Sequence, residues 1–252
     1  MTLNWDFAAA VVVVTFLATA AQAATGFGFN LVFVPLLSLV YDPKATVVLA
    51  LCLGIAGKFP LLVHVRRHVQ PRAIAAIVLA SFVGSLLGTR LILYADPAVL
   101  RLFIGAVVIA GCLPLLTNRR WQFKRERLAN VLIGLACGVL ASSTSMSGPP
   151  IILFGVNQAW PKDSFRANLV AFFVVSDSFA LATLAASGLL NQQTGLNTLF
   201  GLPAIGVGLL AGNWLFRRVP VALFYRVVVL FVIVVGLVGL ASGVQAILGR
   251  AA

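Results

Sequence analysis

The stretch SSTSMSGPP at residues 142–150 interrupts a long apolar run, with VLIGLACGVLA before it and IILFGV after it. Proline lacks the backbone N–H that a helix needs, and its ring clashes with the preceding turn, while glycine costs conformational order. Five hydroxyl residues, a glycine and two consecutive prolines therefore predict a deliberate helix break. In a membrane, backbone freed in this way is tolerated only where it is buried in protein or lines a wet cavity.

The composition places the chain in a bilayer. Of its 252 residues, 61% are hydrophobic and only 10% are charged, and the mean hydropathy is +1.07. A soluble domain has about 45–50% apolar and about 25% charged residues. A membrane β-barrel would show alternating strands of about ten residues, whereas these apolar runs are unbroken for longer. The sequence therefore predicts an all-α polytopic membrane protein.

The net charge of +12 does not indicate a nucleic-acid partner. The basic residues lie in short segments between apolar runs, and no soluble domain exists to present them to nucleic acid. Basic segments beside spans are typical of membrane insertion and of contact with anionic lipid. The expected partners are therefore the lipid bilayer and a small anion, with a minor part of the charge left to attract that anion.

Apolar runs of about 20 residues predict about eight transmembrane helices. The first run ends in an Ala-x-Ala-like pattern, but MTLNWDF has no Lys or Arg and contains Asp6, so we expect a mature helix there and not a signal peptide. The first span contains a second break, TGFGFN at residues 25–30, and each of the two broken spans is either one interrupted helix or a re-entrant pair. The spans cover about residues 7–40, 45–65, 73–94, 98–116, 128–156, 165–190, 196–216 and 221–248.

The chain divides into two similar halves, residues 1–116 and 128–252, joined by a basic central loop at 117–127. DPKATVVLALCLG aligns with WPKDSFRANLVAF, and GSLLGTRL aligns with GLLAGNWL. Pro43 then lies over Pro161 and Gly88 over Gly212, at offsets of 118 and 124 residues (161 − 43 and 212 − 88). Because each half holds four spans, an even number, both halves enter the membrane in the same direction. We predict a parallel repeat in which each half begins with a broken helix.

The two breaks predict a substrate site. A half-helix that starts at a break leaves backbone N–H groups unpaired and has a partial positive charge, so it attracts anions. We expect such half-helices from Phe29 and from Pro150 onward, facing each other. Neutral donors surround both starts: Gln22, Thr25 and Asn30 at the first, and Ser142, Ser143, Thr144, Ser145 and Ser147 at the second. Alternatively, these small and hydroxyl residues only allow close helix packing.

Lys58 and Asp177 are ionisable residues within predicted spans. The repeat offset places them at near-equivalent positions, so we expect them to approach each other. Charges at this depth are costly and usually face a partner or a cavity. They form either a structural ion pair or a functional pair in which Asp177 accepts a proton and Lys58 attracts an anion.

The sequence contains no pattern for catalysis, for a cofactor or for a metal. It has no nucleophile elbow, no P-loop and no His–Glu cluster within the spans. Its three cysteines, all in apolar runs, have the positions of helix-packing residues. His64 and His68 share a helical face without a carboxylate or cysteine nearby, which favours a place at the loop border over a metal site.

GFGFNLVFVPLL, the repeated four-span halves and SMSGPPIILF resemble the sulfite exporter (TauE/SafE) family of bacterial permeases, over nearly the whole chain. The resemblance implies a multi-pass protein of the bacterial inner membrane that moves sulfite, thiosulfate or organosulfonates. The glycine-rich breaks of the family map onto Gly26, Gly28, Gly148 and Pro149. Lys58 and Asp177 stand where neutral polar residues are expected.

We therefore expect an exporter of small sulfur-containing anions that is coupled to the proton gradient and is not an enzyme. An anion channel or pore, and a non-transporting membrane subunit, are the alternatives. Homo-oligomerisation is left open by the sequence. The expected proton acceptor is Asp177, and the expected substrate-binding residues are Gln22, Thr25, Gly26, Phe27, Gly28, Asn30, Lys58, Ser143, Ser145, Ser147, Gly148 and Pro149.

Overall fold

The computed structural model describes residues 5–25, 28–116, 126–216 and 221–251. These residues form ten α-helices and one short 3₁₀ helix, Arg66–His68, and no strand occurs among them. The α-helices are α1 (Trp5–Thr25), α2 (Phe29–Val40), α3 (Pro43–Val65), α4 (Pro71–Tyr94), α5 (Pro97–Leu116), α6 (Glu126–Thr144), α7 (Gly148–Asn157), α8 (Lys162–Ala186), α9 (Gln192–Phe216) and α10 (Val221–Ala251).

The helices match the predicted spans. Four segments are long and apolar enough to cross a membrane by length and composition: Pro43–His68, Pro71–Tyr94, Asp163–Ala186 and Gln192–Gly212. Shorter apolar segments lie in all the other helices. The ring of Phe7, near the start of α1, stacks on that of Tyr41, directly after α2, with ring centroids 3.8 Å apart. Helices α1 and α2 therefore fold back on each other, as in a re-entrant pair. The prediction of an all-α polytopic membrane protein with two broken helices is confirmed.

Proline and Asx residues define several helix starts. Pro43, Pro71 and Pro97 are first helical residues, where the missing N–H has no partner in any case. Side-chain oxygens also accept hydrogen bonds from free N–H groups of the first turn. The acceptors are Asp42, Asp96 and Asn191, and the donors are the N–H groups of Ala45, Ala98 and Thr194, at 2.9, 2.8 and 2.8 Å.

The chain forms two compact units, each built from segments that are distant in the sequence. The first unit comprises Met1–Gly54, Ala95–Ile109 and Leu189–Ala252, and the second comprises Ile55–Tyr94 and Ala110–Gly188. Each unit therefore contains helices from both predicted halves. The halves at 1–116 and 128–252 remain a prediction about sequence repetition, and most of the central loop, residues 117–125, lies outside the described residues.

In the second unit, α4 packs closely against α6. A Cβ atom added to Gly84 would collide with the backbone carbonyl of Leu135, and one added to Gly88 would collide with that of Val139. Small residues allow such close approach of helices where the lipid offers no hydrophobic driving force. The glycines of GSLLGTRL are therefore packing residues for α6.

In the first unit, α1 packs against α9 in the same manner. A Cβ atom on Gly208 would lie 2.9 Å from the carbonyl oxygen of Phe16, and one on Gly212 would lie 2.6 Å from that of Ala20. The glycines of GLLAGNWL therefore pack against the backbone of α1, as the glycines of GSLLGTRL pack against that of α6. The same pairing, the helix before a break with the third predicted span of the other half, occurs once in each unit.

Candidate functional site

Lys58 on α3 and Asp177 on α8 form a buried ion pair in the second unit. Lys58 Nζ lies 2.8 Å from Asp177 Oδ2, and the two side chains expose 9% and 1% of their surface. The residues are 119 positions apart, within the offsets found for the repeat. The prediction that they approach each other is confirmed.

Apolar and aromatic side chains lie along the two helices that hold this pair. Val65, Ala167, Val170 and Val174 form a buried cluster between α3 and α8, with Leu61, Leu62 and Val69 packed against it. Lys58 Nζ also lies 5.5 Å from the centroid of the Phe173 ring, within the range of a cation–π interaction. Asp177 Oδ1 is buried and has no hydrogen-bond partner among the described residues. One carboxylate oxygen is therefore available to a proton or to a donor group.

The second break separates α6 from α7. Helix α6 ends at Thr144, and Ser145 then has a φ of 58°, which is the left-handed region. Ser147 is the N-cap of α7, so α7 begins at Gly148, two residues before the predicted start. Pro149 and Pro150 lie in its first turn, where proline fits best.

The buried hydroxyls of this break differ in their partners. Ser143 Oγ donates to the carbonyl oxygen of Val139 at 2.6 Å, and Thr144 Oγ1 donates to that of Leu140 at 2.8 Å. Ser142 Oγ and Ser145 Oγ are buried and have no partner among the described residues. A buried hydroxyl without a partner costs about 1–3 kcal/mol. Ser142 and Ser145, more than Ser143, therefore have a hydrogen to offer a bound anion.

Phe173 connects the ion pair to the second break. A Cβ atom on Gly148 would lie 3.8 Å from the tip of the Phe173 ring, the ring beside Lys58 Nζ. Cys137 of α6 donates its S–H to the carbonyl oxygen of Ser147 at 3.3 Å, which fixes the turn. The second unit thus holds a buried ion pair and two buried hydroxyls without partners among the described residues, and Phe173 lies between the Lys58 ammonium and the start of α7.

The first break lies in the first unit. Helix α1 ends at Thr25, and α2 begins at Phe29 as predicted. Gly28 has a φ of 105°, a conformation that side chains rarely adopt, so glycine is required there. Gln22 and Asn30 are buried, and Asn30 Oδ1 has no partner among the described residues.

Several predicted residues of the first break cannot be placed. Gly26 and Phe27 lie outside the described residues, and so does the side chain of Thr25. The predicted meeting of the two breaks stays a prediction.

The two helix starts differ as anion sites. The first turn of α2, FNL, has an N–H on every residue, and a helix cannot pair these groups internally. The first turn of α7, GPP, has an N–H only on Gly148, because Pro149 and Pro150 have none. The donors other than backbone N–H groups at or near the second break are the hydroxyls of Ser142 and Ser145 and, beside the Phe173 ring, the Lys58 ammonium.

A family model described as Sulfite exporter TauE/SafE matches residues 11–239. The chain belongs to this TauE/SafE family. A protein from Cupriavidus necator named "Probable sulfite/organosulfonate exporter TauE" is 25% identical over 205 residues, which cover 79% of this chain and 78% of that protein. No solved structure matches the chain.

The TauE/SafE assignment makes the chain a membrane protein of an exporter family and not of an enzyme family. Among the described residues, no group of three or more His, Cys, Asp or Glu side chains is placed to hold a metal ion. His64 and His68 are exposed near the end of α3. The ion pair, the hydroxyls and the helix start stay the groups that are predicted to bind an anion.

Phe173 and Cys137 are the site residues that sequence reasoning missed. Phe173 lies four residues before Asp177, so a helical α8 places both on one face. That spacing could have identified it. Cys137 was expected only to pack between helices, and its hydrogen bond to Ser147 depends on the geometry of the turn.

Proposed function

We propose that this TauE/SafE protein is a secondary transporter of the bacterial inner membrane that exports small sulfur-containing anions, such as sulfite, thiosulfate or organosulfonates, in coupling with the proton gradient. The family match and the name of the Cupriavidus relative support the substrate class. The observation that carries the proposal is the buried Lys58–Asp177 pair beside the second helix break. It supplies a cation for the anion and a carboxylate for the proton.

Binding of the anion and binding of the proton are linked in this proposal. With Asp177 ionised, its carboxylate satisfies the Lys58 ammonium and occupies the place that an anion would take. With Asp177 protonated, the ammonium lacks a counter-charge, and an unpaired buried charge is costly. An anion then takes the position of the carboxylate, with the hydroxyls of Ser142 and Ser145 as further donors.

The linkage predicts symport of one proton with one anion. For a monovalent anion this movement is electroneutral. The direction then follows the larger of two gradients, that of the anion and that of the proton. An anion that accumulates inside the cell leaves with a proton.

The coupling is tested with proteoliposomes that are loaded with sulfite and a pH-sensitive dye. At mildly acidic pH, where sulfite is mainly the monovalent hydrogensulfite, transport by the wild-type protein should saturate with sulfite concentration. It should make the interior more alkaline as the anion leaves, and it should be insensitive to an imposed potassium diffusion potential. Asp177→Asn should still exchange sulfite for sulfite but should move no protons. Asp163→Asn is the matched control, because Asp163 is exposed in the first turn of the same helix.

The results separate a coupled carrier from its alternatives. Proton movement that persists unchanged in Asp177→Asn would refute the role of Asp177. Flux that does not saturate and follows the membrane potential would favour a channel or pore. Absence of sulfite, thiosulfate and sulfonate flux from a folded wild-type protein would refute the transport proposal.

The anion site is tested separately through its hydroxyls. Hydrogen bonds to a charged group contribute about 1.5–3 kcal/mol, so we expect Ser142→Ala and Ser145→Ala each to raise the KM for sulfite about tenfold or more. Ser143→Ala is the matched control, because its hydrogen is already donated to Val139. Equal KM values for the three variants would contradict this placement of the anion.

A further inference from the structure

A cleft of about 600 Å³ lies between the ends of α4 and α8 in the second unit. Its apolar wall comes from one face of α4, where Val83, Leu86 and Leu87 expose 55%, 53% and 54% of their surface. Its polar part lies one to three turns further along the same face, with Arg90 and the exposed Tyr94. The cleft is thus apolar at one end and cationic at the other.

The hydroxyls of the cleft already have partners. Thr183 Oγ1 donates to the carbonyl oxygen of Ala180 at 2.8 Å, so Thr89 is the donor in its 2.8 Å hydrogen bond with Thr183. Ser187 Oγ donates to the carbonyl oxygen of Thr183 at 2.8 Å. Arg90, in contrast, has no ion pair or hydrogen bond within the described part of the chain. The guanidinium is therefore the group that a ligand would engage.

The length of the cleft corresponds to one leaflet of a bilayer. From Val83 to Tyr94 the helix rises about 16 Å, at about 1.5 Å per residue. Half of a bilayer's hydrocarbon core is about 15 Å thick. Tyr94 is the last residue of α4, and tyrosine is enriched at the membrane–water interface. Arg90, one turn before it, can extend its guanidinium to the depth of the lipid phosphates.

We propose that this cleft binds an anionic phospholipid. One acyl chain lies along Val83, Leu86 and Leu87, and the phosphate accepts hydrogen bonds from Arg90, since a guanidinium matches the geometry of phosphate oxygens. Basic pockets between transmembrane helices are known sites for anionic headgroups. A free oxyanion gains no favourable contact from the apolar wall, whereas a phospholipid uses both the apolar wall and the guanidinium.

The proposal is tested by native mass spectrometry of the full-length protein in detergent, titrated with phosphatidylglycerol or with phosphatidylcholine of the same acyl chains. We expect the wild type to bind phosphatidylglycerol about tenfold more tightly. Arg90→Gln should lose this preference, and Arg90→Lys should keep part of it. Arg72→Gln is the matched control, because Arg72 is exposed at the opposite end of the same helix, outside the cleft, and should behave as the wild type.

Ala186→Trp provides a second test, because a bulky side chain at this exposed lining position would fill the cleft. It should weaken binding of both lipids while the melting temperature stays that of the wild type. If Arg90→Gln still binds phosphatidylglycerol more tightly than phosphatidylcholine by the wild-type factor, the proposal is overturned. Displacement of the lipid by millimolar sulfite would assign the cleft to the transported anion, and a dimer that dissociates in Arg90→Gln would assign it to a second copy of the chain. Either result would also overturn it.

Discussion

Removing one partner of the Lys58–Asp177 pair should destabilise the protein far more than removing both. At 2.8 Å, and with an effective dielectric constant of about 20, the Coulomb attraction is about 6 kcal/mol before desolvation is subtracted. Loss of one partner from a buried pair costs about 3–5 kcal/mol, because the other charge is left uncompensated. Loss of both charges avoids this cost.

The measurement is a double-mutant cycle with Lys58→Met, Asp177→Asn and the double variant. For a chain of this size, about 1 kcal/mol corresponds to roughly 2–4 °C in Tm, so we expect each single substitution to lower Tm by on the order of 10 °C. The double variant should recover most of that loss. Trp160 contributes fluorescence from the same unit, where it packs edge-on against Phe154 and Phe165 with ring centroids 5.7 and 6.4 Å apart.

Additive effects of the two substitutions would refute the interaction between Lys58 and Asp177. If the losses in unfolding free energy of the two single variants sum to that of the double variant within about 0.5 kcal/mol, the residues do not interact in the folded protein. Asp163→Asn serves again as the control, since an exposed carboxylate should change Tm by only 1–2 °C.

Three further substitutions test the packing around the site. Gly138→Ala should destabilise the protein by about 1–3 kcal/mol in thermal unfolding, because its Cβ would collide with the carbonyl oxygen of Ser81; an unchanged Tm would contradict the close approach of α4 and α6. Gly148→Ala should leave Tm within about 2 °C of the wild type, since its Cβ would lie 3.7 Å or more from any neighbour. Asn168→Ala should cost about 1 kcal/mol and speed amide exchange at Gln70, whose N–H donates to Asn168 Oδ1 at 2.8 Å; unchanged exchange would rule out that contact.

The helix boundaries were predictable because the residues that end helices are chemically unlike the rest of the chain. Proline and glycine mark both breaks, and proline marks the starts of α3, α4 and α5, so α2 began where predicted and α7 only two residues early. The Lys58–Asp177 pair could also be predicted from the sequence, since charges are rare in the spans and the repeat offset related these two residues.

The partners within the site were not predictable in the same way. Ser142 and Ser143 are neighbours of the same type, and only the rotamer and the position of the Val139 carbonyl decide which hydroxyl is already used. The glycine stretches GSLLGTRL and GLLAGNWL were aligned as landmarks of the repeat, and neither stretch indicated its packing partner. Glycine permits approach by any backbone, so α1 and α9 could be paired only from the structure.

The segments of the two units alternate along the chain, and this order has a consequence for folding during translation. Helix α1 packs against α9, which begins at Gln192, so α1 is inserted long before its partner exists. At about 5–20 residues per second, the ribosome needs roughly 10–30 s to translate the intervening chain. During that time the surface of α1 that later contacts Gly208 and Gly212 faces lipid or the insertion machinery. The first unit is therefore completed only near the end of translation, and a chain truncated before α9 would leave α1 permanently without its partner.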